Sequence, residues 1–498
     1  MKSLALIIAL YFSTAPCFAR KDLWIEADTK LGQTVEIRDY HVQECQRRYD
    51  QWGLMDVTGK IKPIPVYRLI GIDESGNIAA RVLDSNLRKL INPRGEIIPK
   101  AADLEIVNIM TEARIPVKYH NKAQLDTEIK STDAQNSTFS FCTSSGDVLS
   151  AKFDQVSPFN NNVAAVRMGK SVGFIGLDGK YLPNSKMVNC QFREGVSEGR
   201  LAVCVDSKWG YIDTSGNWIV EPKFEFAKPF QNGFALVGLP ISERNGQPDK
   251  SVTFIDKTGK QFAEKFYSGK PFEGEYAAVS VLSSGKNQMP LWGLINRAGQ
   301  WIVEPKFSLI GPLVDSARLL YAKDLVGVFS SGRITVQPTY KHIGKFCEGL
   351  APFQVSGGKL YGFLAKDGKV LAPAKFAFAG TFSEGLAAVR TYPTKAGSEG
   401  KIGFVDKHGA FRIAPTFGGS DPSNPEFNAD FVQFHDGICL IPERSYWDGT
   451  YWCSGKGYIN RLGKWIGPGP EVITMGFPFR MGSALVRYYP KKLGNRSK

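Results

Sequence analysis

The sequence repeats itself, and this constrains the fold more than any other feature. Residues 208 to 237 read "KWGYIDTSGNWIVEPKFEFAKPFQNGFALV", and "LWGLINRAGQWIVEPKFSLIGPL" follows about eighty residues later. Internal repeats of 20 to 50 residues indicate one structural unit built many times, in which each unit buries its apolar face against its neighbours. The length of 498 residues alone would suit about three ordinary domains.

Glycines mark the same turn in every copy. From Gly179 onward they recur at intervals of about 40 residues. Each stands between two short apolar runs, as in "YGFLAKDGKVLAP", and a polar turn with glycine between alternating apolar runs predicts a β-hairpin. The turn glycines are Gly59, Gly146, Gly179, Gly216, Gly259, Gly299, Gly332, Gly368, Gly409 and Gly463.

Aromatic residues keep a constant distance from these turns. One follows the turn glycine after seven or eight residues, and in six units a second large apolar residue follows six positions later. Constant spacing within the unit and variable length outside it predict a packed core with projecting loops. The first set is Phe153, Phe224, Phe266, Phe307, Tyr340, Phe376 and Phe417, and the second set is Phe159, Phe230, Phe272, Leu313, Phe346 and Phe382.

These patterns predict an all-β protein of tandem repeats. Each repeat has about 40 residues and three short antiparallel strands, the third being a run such as "GFALV" or "GLAAV". We expect propeller-like blades, because closure of the series removes exposed sheet edges. The alternative is an open β-superhelix or solenoid, since about ten units exceed the usual four to eight blades.

The chain divides into five parts. Lys2, the apolar run from residue 4 to 12 and the small residues ending at Ala19 predict a cleaved signal peptide over residues 1–19. Residues 20–50 are interpreted as an N-terminal cap, 51–138 as degenerate repeats, 139–489 as tandem repeats and 490–498 as a basic tail. Residues 101–135 fit the pattern poorly and are a degenerate unit, a cap or a hinge.

The N-terminal segment also predicts the compartment. Nine apolar residues are too few to cross a bilayer, which needs about 20 in a helix. We expect an exported protein, periplasmic or secreted, with no transmembrane segment after cleavage. An uncleaved anchor and lipid attachment at Cys17 are the alternatives, and Pro16 argues against the second.

The repeats resemble the WG-repeat family, which is named for a Trp-Gly pair. That pair occurs here as Trp52-Gly53, Trp209-Gly210 and Trp292-Gly293, and the resemblance covers residues 139–489 clearly and 50–100 less closely. It implies a repeat architecture found in bacterial proteins of largely unassigned function. It implies no catalytic residues. Other units carry Val172, Val326, Tyr361, Ile402 or Lys456 in place of the tryptophan.

Cysteines suggest two disulfides. In an exported chain thiols tend to pair, and Cys190 with Cys204 and Cys439 with Cys453 are each separated by 14 positions, which is compatible with bridges across neighbouring strands. The alternative is that they are small buried apolar residues. No Cys or His spacing indicates zinc, and we expect no metal and no cofactor.

One motif resembles a catalytic element. Residues 195–199, "GVSEG", match the G-x-S-x-G nucleophile elbow, which places a serine between a strand and a helix. The segment aligns instead with "FCEGLA" and "FSEGLA" of other units, and no helical pattern follows it. We interpret it as a structural turn, and we expect a protein that is not an enzyme.

Lysines recur just before the first aromatic of five units. If equivalent positions lie side by side, Lys152, Lys223, Lys265, Lys306 and Lys375 form a cationic row that could bind anionic surface polymers. The alternative is that these lysines protect exposed strands from aggregation.

Three function classes follow. We expect a binding or scaffold protein of the cell envelope or extracellular space, recognising proteins or anionic polysaccharide. The alternatives are a carbohydrate-binding (lectin-like) or carbohydrate-active protein, and a purely structural envelope component. Nucleic acid is not an expected partner of an exported chain despite the net charge of +14.

Overall fold

The computed structural model is built of β-strands. The residues that it describes are 51–64, 66–72, 78–82, 88–91, 96–98, 104–106, 115–119, 138–143, 147–160, 162–188, 195–240, 242–244, 247–249, 251–284, 288–392, 400–418, 432–447, 452–467, 473–476 and 483–488. The predicted signal peptide, N-terminal cap and basic tail lie outside these residues. Within them no helix is present, and so none that is long and apolar enough to span a membrane.

The strands are short and follow one another closely. The strands before residue 200 are β1 (Gln51–Asp56), β2 (Ile61–Ile64), β3 (Val66–Ile72), β4 (Ile78–Val82), β5 (Arg88–Ile91), β6 (Ile97–Ile98), β7 (Leu104–Ile106), β8 (Ile115–Tyr119), β9 (Thr138–Cys142), β10 (Gln155–Val156), β11 (Val163–Met168), β12 (Ser171–Gly176) and β13 (Tyr181–Val188). The next are β14 (Arg200–Val205), β15 (Lys208–Asp213), β16 (Trp218–Phe224), β17 (Phe226–Ala227), β18 (Phe234–Gly238), β19 (Ser242–Arg244), β20 (Gln247–Asp249), β21 (Val252–Asp256), β22 (Ser268–Gly269), β23 (Tyr276–Leu282), β24 (Pro290–Asn296), β25 (Trp301–Phe307), β26 (Leu309–Ile310), β27 (Ala317–Ala322) and β28 (Leu325–Ser330). The last are β29 (Arg333–Ile343), β30 (Leu350–Val355), β31 (Tyr361–Ala365), β32 (Val370–Phe376), β33 (Phe378–Ser383), β34 (Leu386–Arg390), β35 (Ile402–Val405), β36 (Phe411–Phe417), β37 (Phe434–His435), β38 (Ile438–Trp447), β39 (Trp452–Asn460), β40 (Trp465–Ile466), β41 (Ile473–Gly476) and β42 (Ser483–Tyr488).

These strands form small antiparallel sheets in chain order, with typical orders β10-β11-β12-β13, β22-β23-β24-β25 and β33-β34-β35-β36. A unit therefore has four strands: the three that the sequence predicts and a very short first strand between the two conserved aromatics. Residues 101–135 contain β7 and β8, which form one sheet with β9, so the described part of this segment belongs to a unit.

Successive units are joined almost without a linker. The fourth strand ends at the conserved aromatic, and the first strand of the next unit begins after one intervening residue, as at Phe224 and Phe226 or Phe376 and Phe378. At Tyr340 the strand β29 continues unbroken, so that β26 to β32 form one seven-stranded sheet that holds two units. The conserved aromatic therefore marks the point where the chain passes between units.

The core lies between units. One cluster combines Tyr211 and Phe224 of one unit with Phe230, Val237 and Ile255 of the next, and corresponding clusters separate the following units. The predicted aromatic pairs are buried, with Phe224 1% and Phe230 2% exposed; Leu313 and Tyr340 are half-buried. Each buried side chain of this size contributes about 1.5–3 kcal/mol.

The series of sheets ends where it begins. Strand β1 pairs antiparallel with β42, from Gln51 opposite Tyr488 to Asp56 opposite Ser483, in the sheet order β2-β1-β42-β41. Met55 and Val486 of this sheet pack against Leu440 and Tyr458 of the preceding one. Joined ends agree with propeller-like blades and are absent from an open superhelix.

The glycine of the Trp-Gly pair has a steric role. A Cβ on Gly210 would lie 2.4 Å from the carbonyl oxygen of Val220, and one on Gly293 would lie 2.4 Å from that of Val303. The fourth strand approaches so closely because its pairing with the third strand shifts register at this point. Trp209 and Trp292 are half-buried, so the described signature residues serve the packing of the unit.

Neither of the two suggested disulfides is present. Cys204 and Cys439 carry free thiols, and Cys190 lies outside the described residues. Cys453 pairs with Tyr446, seven residues along β38 from Cys439, which puts the two cysteines about 20 Å apart, whereas a disulfide requires Cα atoms within about 7 Å.

Two other features of the cysteines follow from their surroundings. Cys439 is buried, as the alternative interpretation of these cysteines predicts. Burial, reinforced by the Glu384 carboxylate, raises the pKa of the Cys439 thiol well above its usual range, which makes that thiol unreactive. Cys347 is disulfide-bonded, and its partner is none of the free thiols Cys142, Cys204 and Cys439.

Candidate anion-binding face

Every unit has two chemically different ends. At one end tight turns join strands one to two and three to four, the second of them at glycines such as Gly216 and Gly259; we call this the turn end. At the other end the second strand leads to the third, and the fourth leads to the next unit; we call this the lysine end. Lysines at the two ends have different partners.

The predicted lysine row lies at the lysine end. Lys152, Lys223, Lys265, Lys306 and Lys375 are all exposed, each one residue before the buried aromatic. The Nζ atoms of Lys223, Lys306 and Lys375 lie 5.3, 5.6 and 5.2 Å from the centroid of the adjacent phenylalanine ring. Each unit supplies one lysine, and no strand pairing joins successive members of the row.

Acidic residues divide this row into two kinds of site. Glu221 and Glu304 are exposed two residues before Lys223 and Lys306, on the same strands, and Glu264 is the neighbour of Lys265. At Lys375 the corresponding position is Pro373. Lysines beside carboxylates attract anions less, so the row is not uniformly cationic.

Positive charge also gathers at a place that the sequence analysis did not predict. Lys341 and Lys359 are exposed at the lysine end of the sheet that contains Lys375. The stretch 323–381, which is described without a gap, contains three acidic residues. Glu348 and Asp367 lie at the turn end, whereas exposed Asp324 follows exposed Lys323 between β27 and β28, at the lysine end. We call Lys341, Lys359 and Lys375 the basic cluster. The scarcity of acids in this stretch is visible in the sequence and could have revealed it.

At the turn end, by contrast, four cations are each paired with an acid of the preceding unit. Glu198 accepts hydrogen bonds from the backbone N–H of Gly233 at 3.0 and 3.2 Å and lies 2.8 Å from Lys257 Nζ. The same carboxylate–glycine–cation contact, which we call the clasp, recurs in three later pairs of units. These are Asp315 with Gly349 and Lys366, Glu348 with Gly385 and Lys407, and Glu384 with Gly437 and Arg461.

The clasp lowers the pKa of its carboxylate. For Glu198, desolvation by burial acts to raise the pKa, but the hydrogen bonds from Lys257 and Gly233 outweigh it and hold the pKa below the ordinary 4.5. The carboxylate is therefore ionised at neutral pH. These acids compensate the four clasp cations, whereas Lys180, Lys260 and Lys369 of the turn end are exposed outside the clasps.

Two pairs of units are joined differently. In one of them Asn232 stands at the position of the clasp acid, and its amide donates to the carbonyl of Phe272 at 2.7 Å. In the other Gly274 stands at this position, and Arg318, 1% exposed, places its guanidinium 2.7 Å from Glu273. Lys270 donates to the carbonyl of Ile310 at 2.9 Å, and burial lowers the pKa of this lysine. These groups bond to one another and to backbone carbonyls between two sheets, which is a structural arrangement.

The serine of the G-x-S-x-G match lies in a turn, as its alignment predicts. Ser197 precedes β14 and its hydroxyl donates to the carbonyl of Phe230 in the next unit at 2.5 Å. Among the described residues no group of His, Cys, Asp and Glu is arranged to hold a metal ion.

These features define a class: an all-β tandem-repeat protein whose units share apolar cores and are clasped at one end. A family model described as "WG containing repeat" matches residues 147–170, 209–239, 292–317, 330–359 and 361–391. The chain therefore contains five WG repeats between residues 147 and 391, as the Trp-Gly pairs predict. Trp209-Gly210 and Trp292-Gly293 open two of the matched segments, whereas Trp52-Gly53 lies outside them.

Solved structures give only distant likenesses. An eukaryotic initiation factor is 12% identical over 73% of this chain and 95% of its own, with a TM-score of 0.30. AztD from Citrobacter koseri is 14% identical over 55% and 90%, with a TM-score of 0.23. PorZ from Porphyromonas gingivalis, a surface component of a type-IX secretion system, is 11% identical over 89% and 68%, with a TM-score of 0.20.

All three TM-scores are below 0.5, so these likenesses indicate neither the fold nor the function of this chain. A comparison with curated proteins gave no match.

Proposed function

We propose that this repeat protein is a non-catalytic recognition protein that binds anionic polymers at its lysine end. The observation that carries the proposal is the basic cluster: three exposed lysines at one end of one sheet, where Asp324, next to Lys323, is the one carboxylate within the described residues 323–381. An excess of surface charge of one sign attracts ligands of the other.

The repeat architecture suits a polymer. Lys223, Lys265 and Lys306 recur once per unit at the same end, so a ligand with regularly spaced charges can contact several units together. Each further contact is then intramolecular and raises the overall affinity. The basic cluster supplies the strongest contact, and the row extends the binding surface.

The proposed site of action is the cell envelope or the extracellular space, which rests on the signal-like residues 1–19. Mass spectrometry of periplasmic or secreted material should find a mature chain beginning near Arg20. Full-length chain starting at Met1 and retained in the cytosol would contradict this location.

Binding to a soluble anionic polymer tests the function. We expect Lys341→Glu, Lys359→Glu and Lys375→Glu together to abolish binding of poly(glycerol phosphate) measured by calorimetry. The matched control changes Lys180, Lys260 and Lys369 to Glu; these lysines are exposed and each follows a turn glycine, at the turn end. The control alters net charge equally and should weaken binding only modestly.

The lysine row predicted from the sequence is tested separately. Changing Lys223, Lys265 and Lys306 to Glu should weaken binding more than the turn-end control does and less than loss of the basic cluster. Wild-type binding should fall as salt rises, because exposed charges are screened over about 8–10 Å near physiological ionic strength. Equal loss in all three triple variants, or binding insensitive to salt, would show that the lysine end is not the site.

A further inference from the structure

A short turn within the basic cluster has an unusual composition. Residues 356–359, "SGGK", connect β30 to β31 at the lysine end. The turn is closed by a hydrogen bond from the N–H of Gly358 to the carbonyl of Val355 at 3.1 Å. Gly357 has φ +74°, and a Cβ added to it would meet no atom within 4 Å. Its backbone is open to a ligand.

This turn presents hydrogen-bond donors that the protein does not use. Ser356, Gly357 and Lys359 are exposed, and within the continuously described stretch 288–392 their backbone N–H groups and the Ser356 hydroxyl form no hydrogen bond to the protein. Donors of adjacent residues, here Ser356 and Gly357, in a turn that includes positive φ form a typical concavity for anions. Glycine allows close approach to such a backbone.

Lysines flank the turn on both sides. Tyr340 pairs with Val355, which places Lys341 beside the strand that enters the turn. Phe376 pairs with Tyr361, which places Lys375 beside the strand that leaves it. Lys359 is part of the turn itself. Backbone donors and three ammonium groups thus come to one end of a single sheet.

We propose that the turn 356–359, with Lys341 and Lys375, is a binding site for a phosphoryl group. A phosphoryl group has several oxygens that can accept from the backbone and from ammonium groups together, and hydrogen bonds to ionised acceptors are the stronger kind. A planar carboxylate has two oxygens and would leave part of the donor set unused. This inference rests on the proposed function and names the charged group that its polymer carries.

Single neutralising substitutions and two polymers test the site. In calorimetry with the full mature chain, Lys359→Gln should weaken binding of poly(glycerol phosphate) about ten-fold, the effect of losing one charge-assisted hydrogen bond. Lys359→Gln should weaken binding of polygalacturonate, which carries carboxylates, by less than about three-fold, because only one exposed charge pair is lost. Lys369→Gln, in the same unit at the turn end, is the matched control and should change neither.

Inorganic phosphate tests the turn directly. Phosphate should slow hydrogen exchange in a peptide that contains residues 356–359 of the wild type, and should not do so in Lys359→Gln. Vesicles containing phosphatidylglycerol distinguish the source of the group. If the protein binds vesicles but not the soluble polymer, the phosphoryl group belongs to a lipid. If it binds the soluble polymer but not vesicles, the group belongs to a polymer. Both results support the site.

The two proposals fail differently. If both polymers bind and Lys359→Gln weakens them equally, the general anion-binding function stands and the phosphoryl site is overturned. If neither polymer binds but phosphate still protects the turn, the site stands and the polymer-binding function falls. No protection by phosphate, with no polymer preference, overturns the site.

Discussion

Removing one clasp carboxylate should loosen one unit from the next. Glu348 accepts hydrogen bonds from the Gly385 N–H at 3.1 Å with both carboxylate oxygens, and Lys407 Nζ lies 3.0 Å from it. The Glu348 side chain is 24% exposed and that of Lys407 is 46% exposed. The hydrogen bond is therefore partly shielded from water, whereas the ion pair is largely solvated.

These exposures determine how much stability each substitution should cost. A hydrogen bond to a charged group contributes about 1.5–3 kcal/mol when buried, and we expect about 1–2 kcal/mol here because water can replace part of it. The solvated ion pair adds about 0.2–1 kcal/mol. Glu348→Ala should thus cost about 1–3 kcal/mol, and Lys407→Ala should cost less than about 1 kcal/mol. Alanine at position 348 has the same backbone strain as glutamate, whose φ is 52°, so this strain does not contribute to the difference in stability.

Hydrogen exchange is the suitable assay, because repeat arrays open locally rather than in one step. Amides of the turn at Gly385 should exchange faster in Glu348→Ala, by roughly ten-fold or more, and urea should unfold the variant earlier. Glu304→Ala is the control: that carboxylate is exposed on β25, and its loss should change stability by less than about 0.5 kcal/mol. Equal effects of the Glu348 and Lys407 variants would refute the view that the carboxylate–amide bond dominates the clasp.

Three further predictions concern stability. Glu198→Gln should destabilise the protein at pH 7. The difference in unfolding free energy from wild type should disappear as pH falls through the pKa of Glu198, which lies below the ordinary 4.5, because stability from a depressed carboxylate pKa is lost on protonation. Urea unfolding at several pH values measures this difference, and a difference that stays constant with pH would contradict the prediction. Phe376→Ala removes a ring that is 2% exposed and should cost about 3–5 kcal/mol, whereas unchanged unfolding would mean that the conserved aromatic is not a core residue. Gly293→Ala should cost about 1–3 kcal/mol through overpacking, because its Cβ would lie 2.4 Å from a carbonyl oxygen, while Gly311→Ala, whose nearest contacts are at 3.5 Å, should cost clearly less in the same assay.

The sequence predicts the repeating unit well because the unit is encoded locally. The turn glycine, the aromatic that follows it and the apolar residue six positions later all act within one stretch of chain. Phe224 and Phe230 are buried where this spacing predicts. The short first strand was not predicted, because a two-residue strand such as Phe226–Ala227 is too short to show an alternating apolar pattern in the sequence.

What joins the units could not be predicted in this way. The Glu198–Lys257 contact joins residues 59 positions apart, and only the orientation of one sheet on the next brings them together. The pairing of Cys439 with Cys453 failed for the same reason, since equal spacing in sequence does not fix the register of β38 on β39. The basic cluster depends on register too, because Lys341 and Lys375 flank one turn only through the pairing of β29 to β32.

The pairing of β1 with β42 also has a consequence for synthesis. Gln51 meets Tyr488, which is made more than 400 residues later, so this sheet is completed only after nearly the whole chain has emerged. Until then β1 has an open edge, and open edges pair readily with other chains. Contacts so distant in sequence also form slowly. A chain shortened before Ser483 would lack β42 altogether and should aggregate, even though its other units are intact.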